Sequence, residues 1–242
     1  MKKKITGLIL LAVGLAICIF AGYKIIDINR EYKFSRELYS REKDRYFISE
    51  SNKSILEKYN SVIDFSGLKK ENHDICGWIF IPSISVDYPI LQGESNDTYL
   101  RHLPDGTYNV GGSIFIDENC KNDFSSSITI IYGHYMYNGT MFGGLNKFLN
   151  DSFLKCNDYF NIFTPEKDYN AHILACFETK SSSPVYDLPD ENDLDDYFKQ
   201  LSKESGKNFS LFDVSKEKII ILSTCSHSFE SARTVLVASI KK

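Results

Sequence analysis

The 242-residue chain is 43% hydrophobic and 25% charged, which is the composition of a folded domain of ordinary size with an appendage. A net charge of -4 gives no indication of the basic surface that nucleic-acid binding requires, and we predict no nucleic-acid partner. The 17 Phe and 15 Tyr residues favour a β-rich core, because aromatic rings pack well on pleated sheets.

The N-terminus has the pattern of a membrane anchor. Three lysines, at positions 2–4, precede an uncharged run at residues 5–23 that is about long enough to cross a bilayer as a helix. Basic residues before a span favour a cytoplasmic N-terminus. We therefore predict a cytoplasmic tail at 1–4, a single-pass membrane anchor at 5–23 and an extracellular location for everything that follows. A cleaved signal peptide is the alternative.

Residues 24–72 are rich in charge and poor in Gly and Pro, and their apolar positions recur at helical spacing. We predict one or two amphipathic helices in this juxtamembrane segment.

From residue 77 the pattern changes to short β-type runs separated by turn residues. The predicted strands are 78–81, 86–91, 112–116, 127–132, 159–164, 171–177, 218–223 and 233–240. About eight short strands predict a closed or nearly closed β-barrel, since closure removes exposed sheet edges. The expected fold class is mainly β with added helices.

Two helical patches interrupt these strands, at 141–149 and at 191–203. Four residues of the second patch form one apolar face: Leu194, Tyr197, Phe198 and Leu201. Asp190 or Asn192 could cap its start.

Of the six cysteines, Cys18 lies in the apolar run, which leaves five in the exported part. None belongs to a CxxC pair, so the spacing favours neither a zinc ribbon nor a redox motif. An odd number of exported cysteines suggests a free thiol. We predict no metal site and no cofactor.

Cys225 is the candidate thiol, because it ends the apolar run 219–224, where a buried strand emerges into a loop. A buried core cysteine is the alternative. Arg233 comes eight residues later, at the start of the last apolar strand, so a strand-loop-strand unit would bring this cation near the thiol. His134 follows another buried strand and could shuttle the proton that a cysteine nucleophile needs. His227 could compete for that role, although its spacing of two residues from Cys225 does not bring the two side chains together easily.

Several of these segments resemble one family. Residues 222–225 (Leu-Ser-Thr-Cys), followed by an Arg that opens a Val-rich last strand, resemble the sortase signature TLxTC…R. Residues 130–134 resemble the sortase strand that ends in the catalytic histidine. Four further segments, in the right order, resemble the class B branch: 74–79, 87–93, 112–117 and 139–142. The resemblance covers roughly residues 73–242.

The resemblance implies a sortase-like eight-stranded β-barrel that acts as a cysteine transpeptidase. Cys225 would be the nucleophile, His134 the proton shuttle and Arg233 the oxyanion partner. Its partners would be secreted proteins with a C-terminal sorting motif, NPxTN-like or S/P-P-x-T-G, and an amine of peptidoglycan or lipid II.

Class B sortases also hold the motif with the loop and helix between their sixth and seventh strands. The resemblance therefore implies that Ser181, Val185 and Tyr186 line a substrate groove, with Asn96, Leu100 and Ser223 opposite. The chain departs from the class B pattern after Cys225, where Ser226 stands in place of a frequent acidic residue and the Cys-to-Arg loop is shorter. Three alternatives stay open: a pilus-polymerising sortase, an extracellular cysteine protease and a non-catalytic surface β-barrel.

Overall fold

The computed structural model describes residues 2–46, 63–190, 193–209, 212–213 and 215–242. Within these ranges eight strands form one closed barrel in the order β1-β2-β3-β4-β7-β8-β6-β5. The strands are β1 (Ile75–Ile81), β2 (Val86–Leu91), β3 (Ile114–Ile116), β4 (Ile128–Tyr132), β5 (Tyr159–Phe163), β6 (Asp168–Lys180), β7 (Glu217–Cys225) and β8 (Ala232–Lys241). The β1–β5 pair closes the ring, so the predicted mainly β barrel is confirmed.

The barrel is mixed. The β2–β3 and β4–β7 pairs are parallel, whereas the other neighbours are antiparallel. The predicted strands 159–164 and 171–177 correspond to β5 and β6, which pair antiparallel as a hairpin. A parallel pair carries its two C-terminal ends to the same edge of the sheet, and this places the loops after β4 and β7 side by side.

Strand β7 is buried on both faces. Ile220 and Leu222 point into the barrel interior, while Ile219 and Ile221 pack in a second cluster on its outer side. This explains the unbroken apolar run in the sequence, because a strand covered on both faces has no solvent side to alternate with. Full burial of such a side chain contributes about 1.5–3 kcal/mol, so β7 is a rigid support for the residue at its end.

Four helices of the described chain surround or precede the barrel: α1 (Lys2–Tyr46), α2 (Phe65–Glu71), α3 (Asp151–Cys156) and α4 (Leu194–Ser205). Three short 3-10 helices add to them, at Pro82–Ile84, Leu145–Leu149 and Pro184–Tyr186. The apolar face predicted for α4 is confirmed, since its four residues are buried against the outer cluster. Its N-cap is Asp193, which makes no side-chain capping bond; Asn192 lies outside the described residues and Asp190 stands before the cap.

Helix α1 differs from the expected juxtamembrane helices because it runs without a break from the apolar segment to Tyr46. Residues 24–46 contain neither Gly nor Pro, so nothing interrupts the helix where the apolar run ends. Residues 47–62 lie outside the described residues. By length and composition α1 is also the one described helix that could cross a membrane.

The patch predicted as helical at 141–149 is wrong in its first half. Met141 instead forms an isolated bridge with Tyr135, and only Leu145–Leu149 is helical, as a 3-10 turn. The compact turn before it requires glycine at position 143, since a Cβ there would lie 2.2 Å from the Met136 carbonyl oxygen. A helix that the sequence pattern did not predict, α3, follows; its Asn150 cap accepts bonds from two backbone N–H groups.

Candidate active site

The ends of β4 and β7 bring two candidate residues to one edge of the barrel. Tyr132 and Ser223 are register partners in the parallel β4–β7 pair, and the Gly133 N–H donates to the Ser223 carbonyl at 3.1 Å. His134 and Cys225 each follow two residues after these partners. Strand register therefore places His134 and Cys225 near each other.

Arg233 reaches the same place from β8. Cys225 and Arg233 are direct partners in the antiparallel β7–β8 ladder, so their side chains project from the same face. The Cβ atoms of directly opposed residues lie about 4.5–5.5 Å apart. The Arg233 Nη1 donates to the Ala232 carbonyl at 3.0 Å, which holds the guanidinium at the strand end. A half-buried thiol thus has a fixed cation beside it.

A cavity of about 220 Å³ opens over these groups. Its lining residues are Asn96, Asp97, Leu100, Phe115, Tyr132, Gly133, His134, Ser223, Thr224, Cys225 and Arg233. Six of the nine residues proposed from the sequence therefore meet around one cavity. A larger cavity of about 890 Å³ lies at the opposite end of β7 and β8, but none of its described lining residues is a Cys or a His.

The His134 imidazole is oriented by a backbone carbonyl. Its Nε2 atom lies 2.6 Å from the Leu100 carbonyl oxygen. Because a carbonyl oxygen only accepts hydrogen bonds, Nε2 carries the hydrogen. Nδ1 is then the ring atom that gains or loses a proton near neutral pH.

The pKa of His134 lies below its ordinary value of 6.5. Burial is the largest cause, the bond to Leu100 opposes it, and the charge of Arg101 lowers the pKa further. The protonated imidazole is therefore a stronger acid than a free histidine and transfers its proton more readily.

A polar network forms one wall of the cavity. Asp117 accepts hydrogen bonds from the Asn96 Nδ2 and from the Tyr132 hydroxyl, both at 3.0 Å. The Asn96 Oδ1 in turn accepts from the Glu118 N–H at 3.0 Å. Burial, followed by the neighbouring Asp117 charge, raises the pKa of Tyr132, so its hydroxyl stays protonated. The wall consequently presents a fixed amide to the cavity.

Tyr186 is not one of the cavity's lining residues, but it contacts two of them, Ser223 and Tyr132. Its hydroxyl lies 2.8 Å from the Ser223 Oγ, and its ring stacks near Tyr132 with a centroid distance of 6.4 Å. Burial raises the pKa of Tyr186, while Ser223 and Arg233 act to lower it. The ring therefore lies close to the Cys225 and Arg233 pair.

Ser181 and Val185 lie outside the described cavity lining. Val185 is 1% exposed and packs in the outer cluster beneath α4, where its carbonyl accepts from the Tyr197 hydroxyl at 2.8 Å. Ser181 is exposed, and its N–H donates to the Ser231 carbonyl at 2.8 Å, next to the β7–β8 loop. Contact of these two residues with substrate stays a prediction.

Glu178 was not singled out from the sequence, yet it supports the loop after Cys225. Its Oε1 accepts hydrogen bonds from the hydroxyls of Ser226 and Ser228. Ser226 is thereby bonded to a carboxylate that belongs to β6. Sequence spacing could not indicate this contact, because it joins residues 48 and 50 positions apart.

Three other cysteines and His227 lie outside the cavity lining. Burial raises the pKa values of Cys76, Cys120 and Cys176 to about 12, 11 and 12, so these thiols are poor nucleophiles. His227 stacks on Tyr137 with a centroid distance of 5.3 Å and lies outside the cavity lining. Across the described residues no group of three metal-binding side chains occurs.

The chain is similar to known proteins in sequence and in fold. A family model described as a sortase domain matches residues 79–241. The Sortase B of Listeria monocytogenes serovar 1/2a is 31% identical over 246 residues, covering 97% of this chain and 96% of that protein. The Sortase B of Staphylococcus aureus strain NCTC 8325 is 30% identical over 249 residues, covering 100% and 98%. A solved Staphylococcus aureus sortase B–substrate complex superposes with a TM-score of 0.73 at 26% identity, covering 87% of this chain and 98% of that one.

Proposed function

This chain belongs to the sortase family and is a class B cysteine transpeptidase, and from that premise we propose that Cys225 is its nucleophile, with His134 and Arg233 as partners. The observation that carries the assignment is the direct β7–β8 pairing of Cys225 with Arg233 beside a cavity that His134 also lines.

The first half-reaction cuts a sorting motif after its threonine. The Cys225 thiolate attacks the threonine carbonyl carbon and forms an S–C bond, and the carbonyl electrons move to its oxygen. The Arg233 guanidinium beside the thiol stabilises this oxyanion. When the intermediate collapses, the C–N bond breaks and protonated His134 gives its proton to the departing amine. The product is a thioester on Cys225.

The second half-reaction reverses these roles. A cell-wall amine attacks the thioester carbon, neutral His134 accepts a proton from the attacking nitrogen, and the thiolate leaves. The thioester retains the acylating power of the cleaved peptide bond, so no nucleotide cofactor is required. The acceptor we propose is an amine of peptidoglycan or lipid II.

Two motif classes, NPxTN-like and S/P-P-x-T-G, are compatible with this scheme. Asn96, Leu100 and Ser223 line the cavity, and Tyr186 is bonded to Ser223. We propose that these residues contact the motif, and that Ser181 and Val185 join them where the β6–α4 connection meets the substrate.

The location we propose is the cell membrane, with the N-terminus in the cytoplasm and the barrel outside. Support comes from the apolar part of α1 and the basic residues that precede it. A sortase at that location meets both secreted substrates and cell-wall amines.

The test is a peptide-ligation assay on the full chain in detergent micelles. Peptides of both motif classes are incubated with and without a short oligoglycine amine, beside Cys225→Ala and the control Cys156→Ala, which changes an exposed thiol on α3. We expect cleavage after threonine and an amine-linked product from the wild type and the control only. Cleavage that persists in Cys225→Ala contradicts the assignment, and cleavage that never yields the amine-linked product supports a cysteine protease.

A further inference from the structure

The part of α1 that follows the apolar segment packs against the loop between β2 and β3, residues 92–113, called here the β2–β3 loop. Leu38 and Tyr39 of α1 are buried in the barrel's main hydrophobic cluster. The Tyr39 ring meets the Tyr88 ring of β2 edge-on, with a centroid distance of 4.9 Å. Helix α1 is thus fixed to the barrel at this point.

Polar contacts at two places on α1, Tyr39 and Glu31, join it to the end of the β2–β3 loop. The Tyr39 hydroxyl lies 3.0 Å from the Gly112 carbonyl and 3.3 Å from the Ser113 Oγ. Ser113 donates its own hydrogen to the His102 carbonyl at 2.8 Å, so Tyr39 is the donor to this corner. Two turns earlier on α1, the Glu31 carboxylate accepts from the Val110 N–H at 3.2 Å.

Gly112 in turn packs closely against the Leu100 carbonyl. Its φ is +49°, and a Cβ at this position would lie 2.4 Å from the Leu100 oxygen. The adjacent Ser113 N–H donates to the Tyr99 carbonyl at 3.0 Å, which ties the two arms of the loop together. The Leu100 oxygen is the atom that accepts from His134 Nε2. A continuous series of contacts therefore connects Tyr39 to the imidazole.

We propose that Tyr39 is a positioning residue for His134: by holding Gly112 it sets the Leu100 carbonyl that keeps the hydrogen on Nε2. The consequence for catalysis rests on the proposed function, in which Nδ1 of His134 moves the proton. The helix that anchors the enzyme then also supports its active site, because the hydroxyl that donates to the Gly112 carbonyl belongs to α1.

The experiment compares two single changes at the same helix–barrel contact in the full chain. Tyr39→Phe keeps the ring and removes only the hydroxyl. The control, Lys43→Gln, weakens the contact of Lys43 with Asp87 on β2, which does not involve the β2–β3 loop. The protonation pattern of His134 is measured by 15N NMR of histidine-labelled protein, with the His134 signals assigned through His134→Gln. The kcat/KM for a sorting peptide is measured alongside.

We expect wild type and Lys43→Gln to show neutral His134 with its hydrogen on Nε2. Tyr39→Phe is expected to show a mixture of the two neutral forms, with kcat/KM lower by roughly 3- to 30-fold. Unchanged 15N signals in Tyr39→Phe overturn the proposal, and so does an equal loss of rate in both variants. The NMR result does not depend on turnover. If the wild type cleaves no sorting peptide, the proposed function is contradicted, but the 15N signals still show whether Tyr39 positions His134.

Discussion

Cys225 and Arg233 are direct partners at the last rung of the β7–β8 ladder, with their side chains on the same face. The preceding eight residues of β7 each have a β8 partner in unbroken register, and most of them are buried. The backbone segments that carry the thiol and the guanidinium cannot separate without disrupting the barrel wall. Their proximity is therefore a property of the fold, present before any substrate binds.

This pairing makes Arg233 sensitive to a change that preserves its charge. Lysine at this position keeps one positive charge but loses the planar set of donors that a developing oxyanion requires. We expect Arg233→Lys to lower kcat/KM by about 10²- to 10³-fold with a thermal midpoint close to wild type. The same substitution at the exposed Arg101 is the control and should retain activity. A fully active Arg233→Lys enzyme would remove Arg233 from the mechanism.

The lowered pKa of His134 makes folding stability depend on pH in a defined direction. Because its folded pKa lies below the unfolded value near 6.5, the unfolded chain binds the proton more tightly. The contribution of His134 is complete above that value and decreases as the pH falls through the folded pKa. Chemical denaturation between pH 5 and pH 8 should show a shallower loss of stability in His134→Gln than in wild type. Equal slopes would contradict the burial of this imidazole.

The hydroxyl of Tyr186 is expected to contribute more to the kcat/KM for the sorting peptide than to the free energy of unfolding. Tyr186→Phe removes the bond to Ser223 at the cavity wall, and we expect kcat/KM to fall by about 2- to 10-fold, the value of one ordinary hydrogen bond. Tyr197→Phe is a matched control, because it removes a buried hydrogen bond to the Val185 carbonyl. It should lower the free energy of unfolding by about 1–2 kcal/mol. Its effect on peptide selectivity should be small. The opposite pattern would place Tyr186 in a structural role.

Glu178 should control the order of the loop after Cys225. Glu178→Leu removes the acceptor shared by Ser226 and Ser228, and amide hydrogen exchange of that loop is expected to become faster, with a lower kcat/KM. Glu178→Gln retains an oxygen acceptor and should be milder. Glu230→Gln, an exposed change in the same loop, is the control. If exchange in the loop is unchanged in Glu178→Leu, the carboxylate does not order it.

The sequence pattern was sufficient for the barrel, because each strand is a compact apolar run that ends at a turn residue. It also predicted that Cys225 and Arg233 would be neighbours, since only a short loop separates their strands. The placement of His134 depended on the family resemblance, because nothing local indicates that β4 and β7 pair in parallel.

Other contacts could not be predicted from local patterns. The bond of His134 to the Leu100 carbonyl joins residues 34 positions apart, and it depends on the conformation of a long loop. The unbroken run of α1 past the apolar segment also differs from the prediction, because the change in composition at residue 24 does not end the helix. Charge patterning changes at a membrane surface, whereas a helix ends only where caps or breakers occur.

The most direct test of the account is the covalent intermediate. The full chain is mixed with a sorting peptide in the absence of amine, quenched in acid and digested, and the modified peptide is identified by mass spectrometry. The account predicts that the peptide fragment ending in threonine is attached to Cys225, and that an added amine releases it as the ligated product. Cleavage of the peptide with no adduct on Cys225, or with the adduct on another residue, would contradict it.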